Sequence, residues 1–228
     1  MANTVVLTTT LRPTAAPNLP IGPVDYSQQF MDQYSNVLRL YFNQIDNFTG
    51  GLTASDNGRY LRFPHISAYD SANIFATSNT ATVVTFNTLV TGSGFTLNAN
   101  STATCTYTGI YKIDYSLQFA NNDNAQHDAD VWLKVNGTDV VESTTRFSVQ
   151  ARKSANDFTY VCGYSHVTFQ VNAGDVIGLY WATEQAATAN GSVLGLFIEA
   201  LPASTSPYAR PSIPSTIGTI SFVSGIST

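Results

Sequence analysis

Residues 104–119 read TCTYTGIYKIDYSLQF, and the polarity of this stretch alternates along most of its length. The odd-numbered positions from 111 to 117 are Tyr, Ile, Tyr and Leu, whereas the even-numbered positions from 112 to 116 are Lys, Asp and Ser. Successive side chains of a β-strand point to opposite faces of a sheet. The stretch therefore predicts a strand that buries one face in a hydrophobic core and turns the other face outward.

Strand-like runs recur along the rest of the chain. They cover residues 83–86, 131–135, 167–171, 176–181 and 193–200, and turn residues separate them. One such turn is Asn136-Gly137, a pair that suits the two positive φ values of a type I′ hairpin turn. Short strands in regular succession are typical of a β-sandwich or barrel rather than of alternating strands and helices. We therefore predict an all-β sandwich over residues 60–202.

The sequence predicts one helix, over residues 25–51. Asp25 suits an N-cap with Gln28 three residues later, and the pair Gly50-Gly51 suits the end. Apolar residues recur at alternating spacings of three and four positions, so they share one side of the helix. This side packs either on the core of its own domain or in a short bundle with other copies. The second interpretation is favoured, and it makes partner contacts of Met31, Tyr34, Leu38, Tyr41, Ile45 and Phe48.

Both ends of the chain are rich in proline. Residues 1–24 contain four prolines and residues 203–228 contain three. Proline fixes its own φ and favours extended geometry in the residue before it. We therefore predict an extended N-terminal arm over residues 1–24 that a partner subunit holds. The C-terminal residues 203–228 are predicted to form an extended tail, which ends in a short strand that adds to the sheet of a neighbouring copy.

Charge and cysteine content limit the classes of function. Charged residues make up 11% of the chain, against roughly 25% in an ordinary soluble domain. The net charge is -5 and no run of Lys or Arg occurs, which counts against binding to nucleic acid. The sequence contains neither an 18-residue apolar stretch to span a membrane nor the pattern of a secretory signal peptide. For Cys105 and Cys162 we expect buried free thiols, with one disulfide as the alternative.

Residues suited to catalysis or metal binding are sparse in the sequence. His127, Asp128 and Asp130 form the most metal-like cluster, which we interpret as a polar loop rather than a calcium site. Neither HExxH nor GxSxG occurs, so zinc and serine-nucleophile catalysis are not indicated. Paired carboxylates for glycoside cleavage stay open, because their separation in space cannot be read from the sequence. We expect no enzymatic activity, no metal and no cofactor.

Four stretches carry a resemblance to a known group of folds: TYTGIYKIDYSLQF at 106–119, LKVNGT at 133–138, FQVNAGDVIGLYW at 169–181 and GSVLGLFIEAL at 191–201. In this order they resemble the jelly-roll heads of the tumour necrosis factor and complement collagen-like families, over residues 66–202. The resemblance implies a jelly-roll β-sandwich that forms a homotrimer through one aromatic-rich sheet. Within that sheet, Tyr111 and Tyr115 are the candidate contacts with other copies.

A second resemblance concerns residues 25–47, DYSQQFMDQYSNVLRLYFNQIDN. This segment resembles parts of structural proteins from tailed phages, especially those that infect cyanobacteria. It implies a trimeric capsid decoration protein that binds and stabilises the shell of major capsid protein, in a virion assembled in the host cytoplasm. The alternative is a trimeric head- or tail-fibre protein that binds a host receptor or glycan through loops 121–129 and 183–192. For a decoration protein, we expect removal of residues 1–24 to abolish attachment and leave a folded trimer.

Overall fold

The computed structural model of the chain describes residues 17–19, 21, 24–53 and 63–226, and within residues 48–53 it describes the backbone only. The chain divides into two compact units, of which the second is Pro64–Ile226. The first unit contains the helix α1 (Gln28–Thr53). The strands of the second are His65–Asp70 (β1), Thr82–Val83 (β2), Thr88–Ser93 (β3), Phe95–Leu97 (β4), Ala103–Cys105 (β5), Gly109–Asn121 (β6), His127–Val135 (β7), Thr138–Asp139 (β8), Thr145–Val149 (β9), Thr159–Val171 (β10), Val176–Thr183 (β11), Leu196–Ile198 (β12) and Thr216–Ser224 (β13).

The helix α1 exists as predicted, but both of its ends differ. Ser27 caps the start, because its Oγ accepts a hydrogen bond from the backbone N–H of Phe30 at 3.3 Å. The predicted cap Asp25 lies two residues too early. The helix also continues through Gly50 and Gly51 to Thr53. Glycine costs only about 1 kcal/mol relative to alanine inside a helix, so two glycines weaken this turn without ending it. Most of the predicted arm, residues 1–24, lies outside the described residues.

The second unit is a jelly-roll β-sandwich, as predicted. The first sheet has the strand order β10-β6-β13-β1-β3, and β12 also pairs with β6. The second sheet has the order β4-β5-β11-β7-β8, with β2 on β11 and β9 on β7. From β5 to β13 the chain crosses repeatedly between the two sheets, and every strand pair within them is antiparallel. Two antiparallel sheets wound in this way form the sandwich.

The core lies between the two sheets and follows the predicted parity of residues 104–119. Tyr111, Ile113, Tyr115, Leu117 and Phe119 of β6 all point inward and are buried. They meet buried residues of the opposite sheet, and the rings of Phe119 and Trp181 lie 5.9 Å apart. Full burial of such a side chain contributes about 1.5–3 kcal/mol to stability. The alternation in the sequence therefore predicts correctly which face of β6 packs against the opposite sheet.

The C-terminal tail ends in a strand as predicted, but the prediction that this strand adds to a neighbouring copy is wrong. Residues 216–224 form β13, which pairs with β6 on one side and β1 on the other and so lies in the middle of the first sheet. Ile220 sits opposite both Ile113 and Ile66 and is buried in the core. A strand with two partners in its own sheet has no free edge to donate. The sandwich consequently extends from Pro64 to Ile226 rather than ending at residue 202.

Two smaller predictions have clear outcomes. The turn at Asn136 and Gly137 has φ values of 52° and 79°, as a type I′ turn requires. Both cysteines are free. The expected burial is correct for Cys105 and wrong for Cys162, whose side chain is exposed on the outer side of β10. Within the described residues, no helix is long and apolar enough to cross a membrane.

Candidate functional site

Two surfaces of the sandwich are candidates for function. The first is the outer face of the first sheet, which we call the tyrosine face. Its exposed residues are Tyr160, Cys162 and Tyr164 on β10, Ile217 on β13 and Val90 on β3. The relative exposures of Tyr160, Tyr164 and Ile217 are 48%, 59% and 45%. Large apolar or aromatic side chains in such number on one sheet face are typical of a surface that contacts another molecule.

The tyrosine face carries few charges. The strands of the first sheet contain three charged residues, and one of these, Asp70, is buried. The other two form an ion pair, with Lys112 Nζ at 2.8 Å from Asp114 Oδ1. The hydroxyl of Tyr164 donates to the same Asp114 oxygen at 3.1 Å. The hydrogen bond to Asp114 raises the pKa of Lys112, which favours the charged ammonium group in this pair.

The second sheet differs, because its strands carry five charged residues that point outward. These are Asp128, Asp130, Lys134, Asp139 and Arg146. They bond to one another across strands: both Arg146 Nε and a terminal nitrogen donate to the Asp130 carboxylate at 2.8 Å. Charged cross-strand pairs of this kind suit a sheet face that stays in water.

A groove of about 530 Å³ lies at the side of the tyrosine face opposite β10. One wall is a short excursion of the chain, residues 201–213, whose ends are joined by two backbone hydrogen bonds between Leu201 and Ile213 at 2.9 and 2.8 Å. The lining is mainly apolar and includes Tyr69, Val90, Leu201, Pro202, Ile213 and Ile217. The face therefore has projecting tyrosines near one edge and a recess near the other.

Glu199 follows β12, its backbone N–H donates to the carbonyl of Gln118 in β6, and its carboxyl group is hydrogen-bonded to Tyr160 of β10. Burial, together with the negative charge of Glu199, raises the pKa of Tyr160 to about 12. Burial also raises the pKa of Glu199, although its hydrogen bond with Tyr160 lowers it in part. The Oε2 atom of Glu199 has no hydrogen-bond partner among the described residues. A poorly solvated carboxyl group is thus placed at the margin of the tyrosine face.

Two of the residues predicted to contact other copies are not on the surface of the sandwich. Tyr111 and Tyr115 are 0% and 1% exposed and fill the core, so neither side chain is available to a second chain. The partner-facing positions of this sheet have the opposite parity. The sequence pattern that could have indicated the exposed face lies in residues 159–171, TYVCGYSHVTFQV. Alternate positions there hold Tyr160, Cys162 and Tyr164, and the run contains no Asp, Glu, Lys or Arg. A parity pattern identifies two faces, but it does not say which one meets a partner.

The helix carries the other predicted contacts. Met31 is exposed, and half-buried positions are held by Tyr34, Leu38, Tyr41 and Ile45; the side chain of Phe48 lies outside the described residues. Leu40 and Phe42 are also exposed, at 55% and 56%. Phe42 lies one helical turn after Leu38 and widens the apolar side, whereas Leu40 points away from it.

The second candidate surface is the end of the sandwich where loops 121–129 and 183–192 converge. His127 joins them: its Nδ1 lies 3.0 Å from Glu184 Oε1 and its Nε2 lies 2.9 Å from Asp123 Oδ2. The hydrogen bond from His127 lowers the pKa of Asp123. Burial raises the pKa of Glu184, but hydrogen bonds from the backbone amides of Glu184 and Asp128 and the hydrogen bond with His127 outweigh it and lower the pKa. The cluster thus fixes two loops together at the sandwich end.

The candidate metal-binding residues His127, Asp128 and Asp130 instead form hydrogen bonds and ion pairs with other side chains. Asp128 accepts a hydrogen bond from the hydroxyl of Ser148, Asp130 is paired with Arg146, and His127 lies between two carboxylates. No group of three or more His, Cys, Asp or Glu within the described residues is arranged to hold a metal ion. The arrangement ties strands and loops together by side-chain hydrogen bonds, which is a structural use of these residues.

Comparison with known proteins adds similarity of fold alone. No protein-family model matches the sequence, and no curated protein matches it. One similar solved structure is the crystal structure of murine APRIL at pH 5.0, with 17% identity, a TM-score of 0.40 and coverage of 70% of this chain and 99% of that one. Another is the globular domain of zebrafish complement 1qA protein, with 12% identity, a TM-score of 0.39 and coverage of 72% and 99%. The jelly-roll fold itself rests on the strand topology of this chain.

Proposed function

We propose that the chain is a non-enzymatic structural protein whose sandwich forms a homotrimer through the tyrosine face. The observation that carries the proposal is the contrast in charge between the two outer sheet faces. The interior of a protein interface is depleted of charged residues and enriched in Tyr relative to the rest of the surface. The weakly charged face with Tyr160 and Tyr164 therefore suits contact with other copies, and the face with Arg146 and its acidic partners suits solvent.

The size of the face supports this reading. Five strands at a spacing of about 4.8 Å span roughly 20 Å, and strands of this sheet run from about 20 Å to about 43 Å in length. Their outer face therefore offers on the order of 600 Å², which approaches the roughly 800 Å² that each partner buries in a standard interface. The walls of the groove beside residues 201–213 enlarge the contact area further.

The shape of the face supports a ring rather than a two-fold dimer. Tyr160 and Tyr164 project near one edge, and the groove lined by Ile213 and Ile217 lies near the other. A projection and a recess at different places suit a heterologous contact, in which the edge of one copy meets the groove of the next. Three copies form the smallest ring of this type.

Attachment to a virus capsid forms the second part of the proposal. The trimer would bind the major capsid protein of a virion through the segment before the sandwich and stabilise the shell. Exposed apolar residues on α1, such as Leu40 and Phe42, support a contact with another chain, and the resemblance of residues 25–47 to phage structural proteins supports the kind of assembly. Deletion of residues 1–24 tests this part: a folded trimer that no longer binds capsids supports it, and retained binding contradicts it.

Substitution tests the self-association. Ile217→Glu places a charge in the middle of the tyrosine face, whereas Val141→Glu makes the same kind of change at a position that is 85% exposed in the turn after β8. We expect size-exclusion chromatography with light scattering to give monomers for Ile217→Glu and trimers for Val141→Glu, with β-sheet circular dichroism in both. Trimeric Ile217→Glu, or a wild-type monomer, would contradict the proposal.

The two free thiols provide an independent readout. Cys162 is exposed on the tyrosine face of a single chain, and Cys105 is buried in the core. In the trimer, we expect a maleimide to label neither thiol at short times, because the interface covers Cys162. The maleimide should label only Cys162 in the Ile217→Glu monomer and both Cys105 and Cys162 in the denatured chain. Labelling of Cys162 at the same rate in wild type and variant would show that the face stays open.

A second function, recognition of a host glycan or receptor, is favoured by the convergence of loops 121–129 and 183–192. Loops fixed on a rigid scaffold commonly carry binding sites. Asn124 and Asn190 are exposed in these loops. If this end binds glycans, a glycan array should give signals that Asn124→Ala and Asn190→Ala reduce and that Thr138→Ala, at the other end of β7, leaves unchanged. An array without such signals counts against this alternative.

A further inference from the structure

We infer that the proposed homotrimer assembles with Glu199 in its uncharged, protonated form, so that rising pH weakens the assembly; the inference rests on the proposed contact through the tyrosine face. The preceding residue, Ile198, pairs with Phe119 and is buried in the core, so Glu199 points to the opposite, outer side of the first sheet. The backbone N–H of Glu199 donates to the carbonyl of Gln118 at 2.8 Å, and Gln118 lies opposite Cys162 of the tyrosine face. The carboxyl group therefore lies on the side of the sheet that is proposed to meet the next copy.

The surroundings of this carboxyl group do little to stabilise a negative charge. Its hydrogen bond is with Tyr160, and its Oε2 atom is buried without a hydrogen-bond partner among the described residues. Within the part of the chain that the structure describes, no Lys, Arg or His forms an ion pair with Glu199. Asp157 adds further negative charge beside Tyr160. Burial therefore raises the pKa of Glu199 already in the single chain, because a carboxylate that leaves water needs paired or hydrogen-bonded oxygens.

Contact with the next copy would remove more water from this group. The side chain of Tyr160 is 48% exposed in the single chain, so part of the Tyr160–Glu199 pair still lies in water. The groove proposed to receive the β10 edge of the next copy offers no compensating charge, because its described lining residues include no Lys, Arg, His, Asp or Glu. Loss of water without a new cation disfavours the charged form of a carboxyl group. We therefore expect assembly to raise the pKa of Glu199 further.

The effect on assembly follows from proton linkage. Glu199 binds a proton more tightly in the trimer than in the single chain, so protonation and association favour each other. This contribution to association is fully present below the pKa that Glu199 has in the single chain. It is lost as the pH rises through the higher pKa that Glu199 has in the trimer. For each unit by which assembly raises the pKa, each copy of Glu199 weakens association at high pH by up to about tenfold.

Other titratable groups on this sheet face act differently. His65 of β1 and His166 of β10 also point to the outer side, and histidine loses its positive charge over the same pH range. That loss reduces repulsion between copies, so it strengthens association as the pH rises, opposite to Glu199. Lys112 and Asp114 form an ion pair with each other. Cysteine and tyrosine ordinarily ionise at higher pH; those on this face are Tyr69, Tyr160, Cys162 and Tyr164.

Analytical ultracentrifugation over a series of protein concentrations, from about pH 5 to about pH 8, tests the inference. Glu142→Gln is the matched control for Glu199→Gln, because it removes the same charge at an exposed position in the turn after β8. We expect the concentration at which the trimer dissociates to rise on the order of tenfold or more with pH in the wild type and in Glu142→Gln. In Glu199→Gln it should stay constant or fall, because only the histidine effect remains.

The outcomes separate this inference from the proposed trimer. Trimers in both proteins with the same pH profile for wild type and Glu199→Gln would overturn the role of Glu199 and leave the trimer standing. A profile that Glu142→Gln flattens as much as Glu199→Gln would also overturn that role, because the effect would then come from net charge. A wild-type chain that is monomeric at every pH and concentration would contradict the trimer itself, and the inference with it.

Carbon NMR reads the protonation of Glu199 directly. The chain contains three glutamates, Glu142, Glu184 and Glu199, so selective labelling of glutamate carboxyl carbons gives three signals. Glu199→Gln removes the signal that is to be followed. In the wild-type trimer, we expect this signal to titrate at the highest pH of the three, and to differ most from Glu184, whose pKa is lowered by hydrogen bonds. A Glu199 signal that titrates together with either of the others would overturn the inference.

Discussion

A methyl group at Gly218 tests the central position of β13. The backbone of β13 passes under the ring of Phe86, and an ideal Cβ at Gly218 would lie 2.8 Å from both Cε1 and Cζ of that ring. Carbon atoms in contact prefer about 3.5–4.0 Å. The ring has limited freedom to move away, because Phe86 packs against the core cluster and its backbone N–H donates to Ser101 Oγ at 3.0 Å. We expect Gly218→Ala to lower the free energy of unfolding by about 1–3 kcal/mol, the usual cost of overpacking.

The assay is urea unfolding followed by tryptophan fluorescence. Gly225→Ala is the matched control, because a Cβ at Gly225 meets nothing within 4 Å. A double-mutant cycle with Phe86→Ala isolates the clash: without the ring, Gly218→Ala should cost less than about 0.5 kcal/mol. Additive effects of the two substitutions, or equal stability of Gly218→Ala and Gly225→Ala, would refute the placement of β13 beneath Phe86.

Two further predictions concern the loop end and the β7–β8 turn. The hydrogen bond from His127 lowers the pKa of Asp123, and hydrogen bonds outweigh burial to lower the pKa of Glu184. Their folded-state pKa values lie below the unfolded-state values of about 4, so their stabilisation is complete above that pH and is lost as the pH falls through the folded-state values. The urea midpoint should therefore fall more steeply between pH 5 and pH 3 in the wild type than in His127→Ala, and parallel profiles would contradict this. Asn136→Ala should cost about 1–2 kcal/mol, because alanine resists the positive φ of 52°, whereas Asn136→Gly should cost less; equal losses in thermal unfolding would contradict the turn assignment.

Local alternation was sufficient to predict an all-β sandwich, but not the position of its last strand. The parity of residues 104–119 identifies the buried face of β6, and the pair Asn136-Gly137 identifies the turn between β7 and β8, because both signals depend on neighbours in the sequence. The position of β13 depends on partners far along the chain, residues 65–70 and 109–121. The prolines before β13 also resemble those of an extended tail. Local patterns do not encode such long-range pairing, so the tail was predicted in place of a central strand.

The candidate surfaces were less predictable than the core. Tyr111 and Tyr160 are both aromatic residues in alternating runs, yet the first fills the core and the second is exposed. The difference arises from which face of each strand meets the opposite sheet, which only the assembled sandwich decides. The junction at His127 has the same origin: its partners Asp123 and Glu184 lie in different loops, and the sequence gives no sign that these loops meet.

The position of β13 also affects the timing of synthesis. Ile66 and its partner Ile220 are translated 154 residues apart, an interval on the order of 10–30 s at about 5–20 residues per second. Until β13 leaves the ribosome, β1 and β6 each lack their neighbour on one side, so the nascent chain holds two strands with an unpaired edge. Slow codons or stalling before residue 216 would prolong the interval in which these edges are exposed. Chaperones that bind extended segments would find β1 and β6 accessible during that time.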